Sequence, residues 1–282
     1  MEERAQAPKR EMSRRDFLKT AGLAGLGAVG VGVSAVRTMH DFEVNHHPRA
    51  IRGLAAPLSL SLLTDFHLGP YIDASDLARW VDASNDLSPD LVCITGDLVD
   101  HSYRGDLGEL VFELSRLTSR LGVFVVLGNH DRTRYRDLSP FTAALSDANA
   151  RLLLNAGAWV RDDLYLAGID DLRVGRSDVR RSLAPAGTAD GARILLSHNP
   201  DVIPDLPAEI DLVLSGHTHG GQINLPGVGP LVTSSAYGSR FAQGWVDAHV
   251  PAFVSRGLGV STVPLRVMCP AEVVLLELTP AA

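Results

Sequence analysis

Five short segments of this chain carry side chains that could do chemistry together: Thr64-Asp65-Phe66-His67, Gly96-Asp97-Leu98-Val99-Asp100, Gly128-Asn129-His130-Asp131, Ser197-His198-Asn199-Pro200 and Gly216-His217-Thr218-His219-Gly220-Gly221. Carboxylates, imidazoles and amides are donor types that hold divalent ions, and half of the ten histidines fall in these segments. Cys93 and Cys269 are the only cysteines, so neither a disulfide framework nor a multi-cysteine zinc site can be built. Any metal must be held by His, Asp, Asn or Glu. Taken singly, an Asp or His at the end of a strand is a turn former or a satisfied polar residue more often than a ligand. Five such clusters, each following a buried apolar strand, are not explained that way. A core-histidine account would also have to place His217 and His219 on one face of a strand, each beside a glycine that leaves room for something.

The elements that must position these residues are visible as apolar runs. Leu58 to Thr64, Leu91 to Thr95 and Val123 to Leu127 read as strands, the last two apolar at nearly every position, which means burial on both faces and a parallel sheet covered by helices. Between them Ser75 is placed to cap a helix with Leu77, Trp80 and Val81 inward, and a second helix puts Leu107, Leu110, Val111 and Leu114 on one stripe. Further strands fit Arg151 to Leu154, Leu164 to Ala167, Ile194 to Ser197, Leu212 to Ser215 and Val273 to Leu278, with one more helix over Ser139 to Ala148. In open α/β sheets ligands sit outside the carboxyl ends of the strands, so the five segments can converge. One α/β domain with two sheets is expected, and Gly96, Gly128, Gly216 and Gly220 are expected to permit the turns that aim the side chains. His46-His47 has no carboxylate cluster beside it and reads as an exposed loop or edge strand, and Cys93 as a small buried residue. Trp80 belongs to a helix core face, while Trp159 and Trp245 receive no place.

In order, the segments read D-x-H, GD-x-x-D, GNH-[DE], an isolated His after a strand, and GH-x-H, and with them the chain resembles the calcineurin-like metallophosphoesterase family. The likeness runs on through Ala167-Gly168-Ile169-Asp170-Asp171 to Ser255-Arg256-Gly257-Leu258-Gly259 and Pro264-Leu265-Arg266. The resemblance implies a four-layer α/β/β/α sandwich of two mixed sheets with a dimetal site at the strand ends. It implies one ion held by Asp65, His67, Asp97 and His219 and a second by Asp97, Asn129, His198 and His217, with Asp97 bridging. Such mixed ligands suit Mn, Fe or Zn, whereas Ca or Mg would want more oxygen. A metal-bridging hydroxide would attack phosphorus in line. His130 would protonate the leaving oxygen or steady the transition state, with Asp100 hydrogen-bonded to its ring. Asp100 and the D-x-H motif set the chain apart from purple acid phosphatases, and His101-Ser102 and Asp131 from eukaryotic-type protein phosphatases. Arg132 stands where an aromatic residue is expected, a place where substrate preference could change.

The first part of the chain differs in kind. Ser13-Arg14-Arg15-Asp16-Phe17-Leu18-Lys19 precedes an uncharged, glycine-rich run from Thr20 to Val36, which resembles a twin-arginine export signal. A transmembrane helix would need about twenty strongly apolar residues. The expected organisation is a signal or retained anchor over 1–37 and a metallophosphoesterase domain over 38–282. Seven of the 26 basic and four of the 33 acidic residues lie before residue 38, leaving a body of net charge −10 that is poorly suited to nucleic acid. No lysine follows Lys19, which excludes Schiff-base chemistry and a P-loop from the body.

The reading is therefore a dimetal phosphodiesterase of the cell envelope, in the periplasm or on the outer face of the cytoplasmic membrane. Its partners would be a phosphate ester or phosphodiester, lipid- or cell-wall-linked in one version, and the twin-arginine translocase during export. Membrane association would come through the leader. Two alternatives stay open: a hydrolase resembling UDP-2,3-diacylglucosamine pyrophosphatase, and a non-catalytic binding module on the same fold.

Overall fold

Alternation of side chains along short strands builds two sheets back to back. In the computed structural model, which describes residues 36–261 and 263–281, the first sheet contains β1 (Phe42–Ile51), β2 (Leu58–Leu63), β3 (Leu91–Ile94), β4 (Val123–Val125), β5 (Ala150–Leu152) and, far along the chain, β12 (Ala271–Pro280). Their spatial order is β1-β12-β2-β3-β4-β5. The second sheet contains β6 (Ala156–Arg161), β7 (Leu164–Gly168), β8 (Ala192–Leu196), β9 (Leu212–Ser215), β10 (Gly244–Val246) and β11 (Ala252–Val254), in the order β10-β11-β9-β8-β7-β6. Both sheets are mixed. β2 to β5 run parallel, but β12 is antiparallel to β2 and parallel to β1. In the second sheet β7, β8, β9 and β11 are parallel, with antiparallel strands β6 and β10 at the edges.

The continuous apolar runs are buried on both faces, but helices cover only one face of each sheet. Leu60, Leu62, Leu91, Cys93 and Phe124 point toward Leu164, Leu166, Ile194, Leu196, Leu212, Leu214 and Phe253 of the second sheet. The alternate positions Val92, Ile94, Val123 and Val125 meet α1 (Ala74–Asp86), α2 (Gly108–Ser115) and α4 (Ser139–Asp147). On the far side Tyr165, Ala167, Leu195 and Val213 pack with Leu183 of α5 (Val179–Leu183) and with Val202 and Ile203. The result is the α/β/β/α layering implied by the family resemblance. Periodicity shows that a strand is buried on both sides without showing what covers it.

Local chemistry corrects several boundaries. The cap of α1 is Asp73, whose side chain accepts from the amides of Ser75 and Asp76, while Asp76 reaches back to the amide of Asp73; Ser75 lies inside the first turn. β1 takes the edge-strand alternative that His46-His47 left open: half-buried and exposed residues alternate along most of it, and it forms the edge of its sheet with His46 exposed and His47 against Phe253. Trp80 is buried on the core face of α1, Trp159 packs on Tyr165, and Trp245 lies between Phe253 and Arg49. Cys93 is buried, and burial pushes its thiol pKa up. The twin-arginine leader, up to Ala35, lies outside the described residues. Among the described residues no helix is long and apolar enough to cross a membrane.

Phe253 is a fully buried anchor between the sheets. Replacing it by Ala should cost about 3–5 kcal/mol of stability, read as a lowered midpoint of urea unfolding with an unchanged slope.

Candidate metal centre

Parallel strands of both sheets end at one rim, and the chain then turns abruptly. Asp65 follows β2, Asp97 follows β3, Asn129 and His130 open α3 (Asn129–Arg134) after β4, His198 follows β8, and His217 and His219 follow β9. Amide-to-carbonyl bonds lace the turns together: Asp65 donates to Gly96 at 2.9 Å, His67 to Asp97 at 2.9 Å and Gly216 to His198 at 3.0 Å. Asp65, His67, Asp97, His217 and His219 all have left-handed backbone, with φ of 56°, 53°, 52°, 71° and 51°. Such conformations cost about 1–3 kcal/mol each in non-glycine residues and persist where the surroundings over-determine them, as functional sites do. His217 and His219 therefore do not share one face of a strand, as their spacing had suggested; they leave the strand and point into different groups.

The first group is Asp65, His67 and His219, all buried. His67 Nε2 lies 3.0 Å from His219 Nε2, and His219 Nε2 lies 3.5 Å from Asp65 Oδ1. The second group is Asp97, His198 and His217, also buried. His198 Nε2 stands 3.1 Å from His217 Nδ1, 3.2 Å from Asp97 Oδ2 and 3.2 Å from Asn129 Oδ1. Asp97 joins the groups, because its Oδ2 is also 3.5 Å from His67 Nε2 while its Oδ1 accepts the amide of His130. Each group draws residues from both sheets.

Surrounding bonds set which nitrogen faces inward. His198 Nδ1 is 2.8 Å from the carbonyl of Thr95, an acceptor, so it donates there and leaves Nε2 free for the cluster. Asp65 is held by the hydroxyl of Thr64 at 2.8 Å and by the amide of His217. A Cβ on Gly128 would fall on the Asp97 carboxylate, and one on Gly216 would fall on Thr64 Oγ1 and Asp65 Oδ2. These two glycines serve close approach to the carboxylates.

The electrostatics call for positive charge. Burial alone would raise the Asp97 carboxyl, but His198 and then His130 outweigh it and hold it well below the usual range. Burial raises Asp65, with His198 opposing. His198 is driven the other way: burial opposes its charge, yet Asp97 lifts it to about 10. Burial pushes His217 and His219 well down, leaving neutral imidazoles with free lone pairs, and His217 Nε2 is buried with no hydrogen-bond partner. The lone pairs of His217 and His219 are thus available to a cation beside the two carboxylates. Nitrogen and oxygen donors gathered this closely could hold divalent ions.

His130 stands beside this cluster, its ring edge-on to His67 at 4.5 Å between centroids. Its Nδ1 is 3.2 Å from Asp100 Oδ2, and Asp97 and Asp100 together raise its pKa against the effect of burial. Asp100 also accepts from Ser102 and faces His67 Nδ1 at 3.8 Å. All nine residues singled out in the sequence therefore meet at one place.

Other residues there went unread. Asp131 accepts from the amides of Gly128 and Val99 at 3.0 and 3.1 Å, and burial, then Asp97, raise it to about 7. Fully buried Arg266 donates to the carbonyls of Arg256, Gly257 and Gly259 at 3.0, 3.2 and 2.6 Å, fixing the loop behind Asp65. His101 leans on His130. Their roles arise from tertiary contacts, although Asp131 and Arg266 lie in segments the family resemblance already covered. Arg132 pairs with Asp170 at 3.2 Å and lines an open groove of about 700 Å³ with Arg136 and Ser139.

The family model for the calcineurin-like phosphoesterases matches residues 59–221. The chain is 30% identical over 288 residues to the "Uncharacterized metallophosphoesterase YkuE" of Bacillus subtilis, covering 95% of this chain and 98% of that one. It is 30% identical over 278 residues to the "Phosphodiesterase YaeI" of Escherichia coli, covering 95% and 99%. To a "Transmembrane protein with metallophosphoesterase domain" of Danio rerio it is 33% identical over 93% of this chain, and it spans 61% of that protein.

Gly128→Ala puts a methyl group where the Asp97 carboxylate lies. The variant should bind divalent ions about 10–100-fold more weakly, read by ion content after equilibrium dialysis; wild-type content would show that Asp97 is not needed in its present place.

Proposed function

As a member of the calcineurin-like phosphoesterase family, to which it belongs on the match over residues 59–221, the protein is a phosphoric ester hydrolase, and we propose that it is a phosphodiesterase dependent on two divalent ions. The observation that carries this reading is the pair of buried His/carboxylate groups sharing Asp97. In this reading Asp65, His67, Asp97 and His219 hold one ion, and Asp97, Asn129, His198 and His217 hold the other. Bound there, Mn, Fe or Zn would supply Lewis-acid chemistry, activating a water and neutralising charge on the phosphoryl oxygens.

The chain's own residues do the rest. Asp97 orients both groups through Oδ2 and fixes the start of α3 through Oδ1, which sets the position of His130. His130 holds a proton for the leaving oxygen, and the raised pKa given by Asp97 and Asp100 keeps that proton in place until transfer. Asp100 steadies the ring through Nδ1.

The setting we propose is the cell envelope, reached by twin-arginine export. The support is the Ser13-Arg14-Arg15-Asp16-Phe17-Leu18-Lys19 segment and the mildly apolar run after it. A substrate linked to lipid or cell wall would fit that setting.

Protein stripped of metal and given Mn, Fe or Zn should cleave bis-p-nitrophenyl phosphate in preference to p-nitrophenyl phosphate. Asp97→Ala should lose ions and turnover together, whereas His130→Ala should keep its ions and lose about 10²–10⁴-fold in kcat. Full activity in Asp97→Ala would reject the site. Changing Arg14 and Arg15 to Lys should leave the protein in the cytoplasmic fraction; continued export would remove the twin-arginine assignment.

A further inference from the structure

A third cluster of donors lies beside the two principal groups and is not used by them. His101 Nδ1 is 3.1 Å from His130 Nδ1 and 3.4 Å from Asp100 Oδ2, and His130 Nδ1 is 3.2 Å from that same oxygen. These three atoms form a nearly equilateral triangle. For nitrogen at 2.0–2.1 Å and oxygen at 2.0–2.2 Å from a tetrahedral zinc, donors lie about 3.3–3.5 Å apart. The triangle needs to open by only a few tenths of an ångström. It is also as tight as the second principal group, whose separations from His198 Nε2 are 3.1 and 3.2 Å.

Exposure separates this cluster from the others. The side chains of Asp100, His130 and His101 are 8%, 18% and 48% exposed, so the triangle opens toward solvent on the His101 side. An ion can enter there, with water completing its shell. The amide of His101 points at His130 Nδ1 from 3.3 Å, a long bond that an ion would displace. Arg104, the nearby cation, is turned to the carbonyls of His101 and Tyr103.

We propose that Asp100, His101 and His130 form a third divalent-ion site, weaker than the principal pair, whose occupation arrests turnover. The arrest rests on the proposed role of His130. An ion on Nδ1 replaces the bond by which Asp100 steadies the ring and holds His130 in the ion's own geometry, away from its work on the substrate. Three ligands and an open mouth make the site weaker than the buried groups, so the principal sites fill first and excess metal inhibits.

The test uses the full chain loaded with two equivalents of zinc or cobalt(II), with further ion added in equilibrium dialysis and the cobalt(II) absorption spectrum followed. Wild type should take up a third ion, and hydrolysis of bis-p-nitrophenyl phosphate should fall as it binds. His101→Ala and His101→Asn should keep the first two ions, bind the third at least about tenfold more weakly and need correspondingly more zinc for inhibition, each referred to its own two-ion rate. Uptake that stops at two ions would overturn the site and leave a hydrogen-bonded cluster sharing protons. So would a third ion, or zinc inhibition, unchanged in both variants. A third ion that depends on His101 yet leaves turnover unaffected would overturn the arrest. If no ester is cleaved at all, the phosphodiesterase reading fails, while ion count and spectrum still decide the site.

Discussion

Asp97 is a buried anion that faces imidazoles from two directions. One oxygen accepts the amide of His130, and the other lies between His67 Nε2 and His198 Nε2. A carboxylate in that position is tolerable only with positive charge against it. Its field raises His198 and His130 and adds to the upward shift of Asp65 and Asp131. Much of the rim follows from this need: the glycine at 128 gives Asp97 room, Asp131 pins the adjoining turns, and Asp100 gives the neighbouring imidazoles a second anion.

The same centre spans the seam between the sheets. Asp65, His67 and Asp97 come from loops of the first, and His198, His217 and His219 from loops of the second. Hydrogen bonds already cross there, from His198 to Thr95 and from His217 to Asp65. Five left-handed residues in so small a space mean that local preference opposes the arrangement, which the sheets and their tertiary bonds must impose. Ions held across the seam would add to the stability of the joined sheets, since they bind the folded arrangement and find no such site in the unfolded chain.

Much of this was legible in the chain before its structure. Runs such as Leu91 to Thr95 identify buried strands because both faces are apolar, and the polar residues after each run mark the rim. What periodicity leaves out is the identity of the covering layer, and here one face of Leu91 to Ile94 meets a sheet and the other meets helices. Around His46-His47 the choice between loop and edge strand stayed open, because an edge strand can carry Asn45, His46 and Pro48 without loss. The cap at Asp73 competed with an equally acceptable serine two residues on. The left-handed turns at His217 and His219 follow from tertiary bonds, so the alternation rule misplaced them. Arg266 could be quoted from its segment but not assigned a task, because its partners are carbonyls of a distant loop.

β12 lies inside the first sheet, between β1 and β2, although it comes after every other strand of both sheets in the chain. During synthesis β1 therefore has no neighbour in its sheet until residues 271–280 emerge, and Leu60 and Leu62 face a core that still lacks Val274, Leu276 and Leu278. Until then the first sheet keeps apolar strand edges exposed, the kind of surface that makes a partly folded chain prone to aggregate. Maturation of the centre is thereby deferred until residues 271–280 have been made, and a ribosome stalled shortly before residue 271 would present an aggregation-prone intermediate.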